Sequence, residues 1–357
     1  MAAMTISGVK EKIQKFPKKD LIHLPTPFMK LENLCKELGG PNIYIKRDDL
    51  TGLAFGGNKS RKLEYIIQDV LDKKADTIIT WAGLQSNWCL QTAAASRKFG
   101  ITPILVLFNV YDLPLEYDGN LLLDFILEAD IKIKELGKGS IIHLEDVDEI
   151  LEEAAMEAKE SRHAPYVAPI GGSAVGGSMD QPLGAISYVN AYVEMVEQAE
   201  MQGVNVDYVI IASGSGGTQA GLAVGAKALR DKCKVLGISV SEEKRTYQGL
   251  VLDIAKDTVK ALELDLEIGG KDIIIFDGYI GEGYGEVNRE VAEAIRLMSV
   301  KEGIFLDPVY TGKAMVALAD LVKKRYFQKD DNVVFFHTGG TAALFPNKKK
   351  LSNFLSG

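Results

Sequence analysis

The stretch VDYVIIASGSGGTQAGLAVGAKALR, residues 206–230, changes its period partway along. Its opening, VDYVIIA at 206–212, is an apolar, β-branched run of the kind found in strands buried on both faces. Small residues follow in SGSGG at 213–217, and from Thr218 to Arg230 the pattern is helical. With the next apolar run, KVLGISVS at 234–241, this makes a βαβ unit around a parallel sheet. The same grammar occurs upstream. DTIITW at 76–81 leads through a polar turn into the helical LQTAAASRKF at 90–99, which Gly100 stops, and PILVLFNV at 103–110 is again a strand. NIYIKR at 42–47 precedes SRKLEYIIQDVLDKK at 60–74, where Leu63, Ile66, Ile67, Val70 and Leu71 share one helical face. NVVFFH at 332–337 is one more buried strand, running into Thr338 and two glycines. The expected fold is α/β, with two open twisted lobes built on parallel sheets.

Length supports two lobes, because 357 residues exceed what a single core usually serves. The 41 basic and 49 acidic side chains leave a net charge of −8, which disfavours a nucleic-acid or anionic-membrane binder. Cys35, Cys89 and Cys233 are far apart and form no CxxC pair, so they read as reduced thiols in a cytoplasmic protein. The opening MAAMTISGVKEKIQKF carries charge where a signal peptide needs apolar residues, and no segment approaches the roughly 18 apolar residues of a membrane span. Four histidines, with no HExxH and no Cys/His cluster, argue against a zinc site. The charged region 117–164 reads as structural, its acidic LEDVDEILEEAAMEAKE as a solvated helix. A glycine-rich passage at 169–186 then precedes a helix at 187–202.

Several short constellations could carry chemistry. Gly56-Gly57-Asn58-Lys59 stands at the mouth of a helix, whose positive end contributes roughly 0.3–1 kcal/mol toward the neutral amine. With desolvation, the lysine falls below its usual pKa of about 10.4 and becomes a candidate for Schiff-base formation. Taken alone, GGNK reads first as a surface lysine after a flexible turn. Ser213 to Thr218 offers successive backbone N–H groups and a helix N-terminus to an anion. The dinucleotide pattern GxGxxG fails at Gln219 and GxxxxGK[ST] is absent, so one terminal phosphate suits this loop better than a pyrophosphate. A turn whose glycines serve close packing is an equal alternative. Gln85-Ser86-Asn87-Trp88 lies between a strand end and a helix start, where it can cap the helix or hold a carboxylate. Asp307 to Lys313 and His337 to Thr341 are turn-rich segments that capping alone would explain. Together, an amine, a phosphate cup, a carboxylate site and a hydroxyl for a ring nitrogen are the parts needed for pyridoxal phosphate acting on an amino acid.

These segments resemble the D-cysteine desulfhydrase and 1-aminocyclopropane-1-carboxylate deaminase family, within the tryptophan-synthase-β-like fold (fold type II) of pyridoxal phosphate enzymes. The resemblance runs from LPTPF at 24–28 through GGNKSRKLE at 56–64, QSN at 85–87, ASGSGGTQAGLAVG at 212–225, GYG at 283–285 and LDPVYTGKAM at 306–315 to HTGGTAALF at 337–345. It implies a large cofactor-binding domain of residues 1–62 and 171–357, a small α/β domain of 63–170, the cofactor in the cleft between them, and a homodimer. It implies that Lys59 carries the cofactor as a Schiff base beside Asn58, and that Gly214, Ser215, Gly216, Gly217 and Thr218 hold its phosphate. Asn87 would bond the ring hydroxyl and Thr338 the pyridine nitrogen. A neutral hydroxyl there does not enforce protonation of the ring, which suits loss of a β-substituent over transamination. Ser86, with Gln85 and Asn87, would take the substrate carboxylate, and Tyr284 and Tyr310 would stand over the cofactor.

The cyclopropane-opening members resemble one another in carrying Glu after the tyrosine of DPVY and Leu after the histidine of HTGG, where this chain has Thr311 and Thr338. Both favour the desulfhydrase-like branch. The implied reaction is α,β-elimination from a small β-substituted amino acid, D-cysteine first, giving pyruvate, ammonia and sulfide. Elimination from cysteate or a diamino acid, and cyclopropane opening, are the alternatives, with a non-catalytic cofactor or amino-acid carrier as the reading from another class. In two places the chain departs from the family pattern. Trp88, Cys89 and Leu90 stand where a histidine and, two places later, a basic residue are usual, and the loop after Gly171-Gly172-Ser173 is longer, through Pro182. Trp88 either narrows the substrate pocket or packs in the core.

Overall fold

The computed structural model describes residues 4–109, 116–136, 144–229 and 232–356. In chain order, α1 (Ile6–Ile13), β1 (Phe28–Lys30), α2 (Glu32–Leu38), β2 (Asn42–Arg47) and α3 (Asn58–Asp72) come first. The chain continues through β3 (Thr77–Gly83), α4 (Asn87–Lys98), β4 (Thr102–Asn109), α5 (Gly119–Ile126), β5 (Asp130–Glu135), α6 (Leu144–Glu160) and β6 (Pro165–Val167). It returns through α7 (Leu183–Met201), β7 (Tyr208–Ser213), α8 (Gly217–Ala228), β8 (Lys234–Ser239), α9 (Lys244–Ala261) and β9 (Ile274–Phe276). Helices α10 (Arg289–Glu302) and α11 (Thr311–Lys323), strand β10 (Asn332–His337) and α12 (Lys348–Leu355) complete it.

Strands β3 to β6 form an all-parallel sheet in the order β5-β4-β3-β6. The other six strands form a second sheet in the order β1-β2-β10-β7-β8-β9, parallel except for the edge strand β1. The architecture is the two-lobed α/β fold expected from the alternating runs. Strand β10, last in the chain, lies between β2 and β7, with His337 level with Arg47 and Phe335 level with Ile210. Its carboxyl end therefore emerges beside those of β2 and β7, the edge at which open α/β sheets bind ligands.

Three helices start earlier than periodicity suggests: α3 at Asn58 and not Ser60, α4 at Asn87 and not Leu90, α7 at Leu183 and not Ser187. Small and polar residues read as loop, yet the first turn of a helix accepts them because its N–H groups have no partners inside the helix. Strands β1, β5, β6 and β9 carried no clear signal: β1, β6 and β9 are three residues long, and β5 is an edge strand with no buried position. The acidic helix α6 is solvated on one side only, since Val147, Leu151, Ala154 and Ala158 pack against Ile79, Ile104 and Val106 of the four-stranded sheet. Val110 and Arg230, expected at the ends of a strand and a helix, lie outside the described residues. Among the described residues no helix is long and apolar enough to cross a membrane.

Helix α3 is fastened by buried charge. Arg61 makes a two-pronged contact with Asp48, Nε to Oδ2 and Nη2 to Oδ1, both at 2.8 Å, and its Nη2 also donates to Glu194 of α7 at 2.8 Å. Lys46 of β2 donates to Glu194 and to the carbonyl of Thr26. Tyr188 donates to Asp48 at 2.6 Å. Burial pushes the Glu194 carboxyl up, but Arg61 and Lys46 override it and hold it at about 2. Arg61→Met would strand buried Asp48 without its cation and leave half-buried Glu194 to Lys46 alone, and breaking a buried pair costs about 3–5 kcal/mol. Urea unfolding measures it, and a loss below about 1 kcal/mol would show that α3 is held by other contacts. Because the folded pKa of Glu194 lies below its unfolded value of about 4.3, its contribution is present above that pH and is lost on acidification toward about 2. In Glu194→Gln this part of the acid dependence should vanish.

Candidate active site

The N-terminus of α3 is clamped at the strand ends. Gly57 pairs with Gly339 in an isolated antiparallel bridge, and Asn58 N–H donates to the Thr338 carbonyl at 3.0 Å. Gly57 has φ of +137°, and a Cβ there would lie 2.6 Å from Gln91 Nε2, so both its backbone and its surroundings require glycine. Asn58 Nδ2 donates to Thr218 Oγ1 at 3.1 Å, which ties α3 to the start of α8. Lys59, the second residue of α3, is half-buried, and loss of hydration lowers its amine to about 8, against a smaller opposing effect of the hydrogen bond with Lys62.

Lys62 is fully buried one turn further on, donating to the carbonyl of Gly171 at 2.9 Å and to Ser173 Oγ at 3.0 Å. Burial, and then repulsion from Lys59, hold it well below the ordinary lysine range. The i,i+3 spacing of the two lysines was the available signal for this pair. Ser173 Oγ in turn lies 2.8 Å from Ser215 Oγ in the glycine loop. Gly217 opens α8, and a Cβ there would stand 2.6 Å from Ser173 Oγ, so the 171–173 turn and the glycine loop form one wall. The hydroxyls of Ser215 and Thr218, a helix start and an adjacent amine pair are a donor set that fits a phosphate ester.

Across from this wall, Ser86 caps α4, its Oγ accepting from the N–H groups of Trp88 and Cys89 at 3.2 Å. Its hydroxyl also makes a side-chain hydrogen bond with Cys89. Asn87 Oδ1 accepts from Asn120 at 2.8 Å, and its Nδ2 lies 2.8 Å from where a Cβ of Gly340 would be. The Tyr284 and Tyr310 hydroxyls are 2.5 Å apart, and the Tyr310 ring stands 3.1 Å from a Cβ position on Gly214. Burial raises Tyr284 to about 12, so this phenol is protonated at neutral pH. Lys313 of α11 donates to the carbonyls of Ile280 at 2.7 Å and Gly283 at 2.8 Å, holding the turn that presents Tyr284.

Not every expected site residue presents a group to the cleft. Lys59, Asn87, Gly214, Ser215, Tyr284 and Tyr310 are half-buried, as groups lining a cleft should be, whereas Trp88 and Thr311 are buried. Trp88 takes the packing alternative: it is 3% exposed, its indole N–H donates to Thr80 Oγ1 at 2.7 Å, and its ring abuts Gly172. The Thr311 hydroxyl is consumed by Asp307, donating to Oδ2 at 2.6 Å and accepting from its N–H at 2.8 Å. Asp307, which the sequence reading assigned only to a turn, also receives the N–H groups of Val309, Tyr310 and Thr311 and so fixes the Tyr310 backbone. Gln85 spends its side chain on α5, accepting from Asn120 N–H and donating to the Asp118 carbonyl. The longer loop after Ser173 is fastened by Lys73, which donates to Asp180 at 2.7 Å. Lys73 caps the far end of α3, fourteen residues or about 21 Å from Lys59.

Behind Ser86, Cys89 of α4 and Asp124 of α5 are both fully buried. Neither Asp124 oxygen has a hydrogen-bond partner among the described residues, and burial lifts this carboxyl to about 8.

Fold and site define a class. A family model for pyridoxal-phosphate dependent enzymes matches residues 20–339, and the chain belongs to that family. A putative 1-aminocyclopropane-1-carboxylate deaminase of Pyrococcus furiosus is 41% identical over 352 residues, 97% of this chain and 99% of that protein. A D-cysteine desulfhydrase of Serratia proteamaculans is 38% identical over 341 residues, 95% of this chain and 98% of that one. A crystal structure of an ACC deaminase homologue superposes with a TM-score of 0.86 at 36% identity, covering 97% of this chain and 99% of the other. The protein is thus a pyridoxal phosphate-dependent enzyme of this group.

Two titrations check the electrostatics. In cofactor-free protein, acylation of Lys59 followed by peptide mapping should rise with pH through a midpoint near 8. A midpoint near 10.4 would mean a hydrated amine. Asp124, with its folded pKa near 8 against about 3.9 unfolded, stabilises the native state below the lower value and loses that contribution as pH rises toward the upper one. Asp124→Asn should therefore raise the melting temperature more at pH 8 than at pH 5, and an equal effect at both would show an ionised carboxylate.

Proposed function

We propose that the protein catalyses α,β-elimination from a small β-substituted amino acid, with D-cysteine as substrate and pyruvate, ammonia and sulfide as products. The observation that carries this reading is the Lys59 amine, lowered to about 8 and set between the glycine loop and the end of β10. Pyridoxal phosphate, when bound, supplies an electron sink for charge developing at the substrate α-carbon. In this reading Lys59 Nζ would hold the cofactor and would serve as the base for the substrate α-proton. Gly214, Ser215, Gly216, Gly217 and Thr218 hold the phosphate, beside the Asn58 side chain. Asn87 would donate to the ring hydroxyl and Thr338 would stand at the ring nitrogen. Ser86 would turn its hydroxyl from Cys89 to the substrate carboxylate. The paired tyrosines, with the Tyr284 phenol kept protonated by burial, would orient the substrate and hold a proton for the departing group.

Preference for elimination over cyclopropane opening is supported at 311 and 338, where both side chains are neutral threonines and Thr311 is already bound to Asp307. Trp88 and the 178–180 segment, both engaged elsewhere, leave the substrate pocket to Ser86, Asn87 and the tyrosines. The proposal extends to a two-domain division at residues 62/63 and 170/171 and to a homodimer in the cytoplasm, where the thiols Cys35, Cys89 and Cys233 would stay reduced.

Pyruvate and sulfide release across β-substituted D- and L-amino acids tests the substrate. D-cysteine should turn over best, and turnover of 1-aminocyclopropane-1-carboxylate without release of sulfide from D-cysteine would sink the reading. Lys59→Ala should lose the visible absorbance of covalently bound cofactor together with activity. A borohydride-reducible link persisting in that variant would move the attachment point to another lysine, Lys62 first.

A further inference from the structure

Asn120, the second residue of α5, is fully buried and lies outside every segment assigned above to cofactor or substrate. Its Nδ2 donates to the backbone carbonyl of Gln85 at 2.9 Å and to Asn87 Oδ1 at 2.8 Å. Its backbone N–H donates to Gln85 Oε1 at 2.9 Å. The Gln85 carbonyl can only accept, so the NH2 end of Asn120 must face it. The second proton of that NH2 then points at Asn87, which has to answer with its carbonyl oxygen. Asn87 is thereby left with its own NH2 directed toward Gly340, where the absence of a side chain keeps the space open. The arrangement leaves Asn120 Oδ1 buried without a partner among the described residues, a cost that mere packing would avoid by using an apolar residue.

We propose that Asn120 is a positioning residue that fixes the amide of Asn87 with its NH2 group toward the cofactor. The chain of donors starts at a backbone carbonyl, so the orientation of Asn87 is set from outside the cleft before any ligand arrives. This rests on the reading that Asn87 serves the ring hydroxyl. Without Asn120, Asn87 could turn its carbonyl to the cofactor, and one oxygen would then face another.

The test measures the apparent dissociation constant of pyridoxal phosphate on reloading the cofactor-free protein, for wild type, Asn87→Ala, Asn120→Asp and the double variant. An aspartate can only accept from Asn87, so Asn120→Asp should turn that amide and weaken retention about tenfold, the size of one charge-assisted hydrogen bond. In the Asn87→Ala background the same change should have almost no further effect. Equal weakening in both backgrounds, or none in the wild-type background, would overturn the positioning role. If Asn87→Ala itself holds cofactor as tightly as wild type, the reading of Asn87 fails instead, and the two failures are distinct. Asn120→Ala, which retains the backbone bond to Gln85, serves if the aspartate variant does not fold, with a smaller weakening that again depends on Asn87. Thermal melts of each variant separate loss of fold from loss of cofactor.

Discussion

Helix α3 cannot slide or rotate, because Arg61 is locked to Asp48 and Glu194 inside the protein. Ions placed in a low-dielectric interior are costly to leave unpaired, so the contact admits one geometry. Lys59 precedes Arg61 by two residues and inherits that geometry. The same network reaches β2 through Lys46 and α7 through Tyr188 and Glu194. A lysine that is to meet one carbon of a cofactor needs this kind of support, since displacements of an ångström weaken a positioned reaction.

Around that fixed helix the site is assembled from strand ends. β2, β10 and β7 lie side by side and deliver the turn before α3, Thr338 and the glycine loop to one edge. β3, in the other sheet, delivers Ser86 and Asn87 from the opposite side. Two amines share this space, with no carboxylate hydrogen-bonded to either among the described residues; burial lowers both, and Lys59 further lowers Lys62. Burial, not the pairing, thus favours the neutral, nucleophilic form of Lys59.

A ring of supporting residues holds the working groups in place. Asp307 gathers the backbone around Tyr310, Lys313 holds the turn of Tyr284, and Asn120 with Gln85 holds Asn87. Several of these are charged or polar and wholly buried, and their partners are mostly backbone atoms. They serve the shape of the cleft more than its chemistry.

Much of this was legible in the amino-acid order. The alternation of apolar runs and helical stretches established the α/β class, and glycines after strands marked candidate ligand loops, because turn chemistry and periodicity are local properties. The segments GGNKSRKLE, SGSGGT and HTGG pointed to the cofactor for the same reason. Other features depended on which strands became neighbours. That β10 inserts between β2 and β7, that Trp88 turns into the core, that Thr311 is spent on Asp307, and that Lys62 meets Ser173 are outcomes of contacts between residues far apart in the chain. A side chain's protonation and hydrogen-bond partners follow from its burial, and burial is decided only when the whole chain has packed.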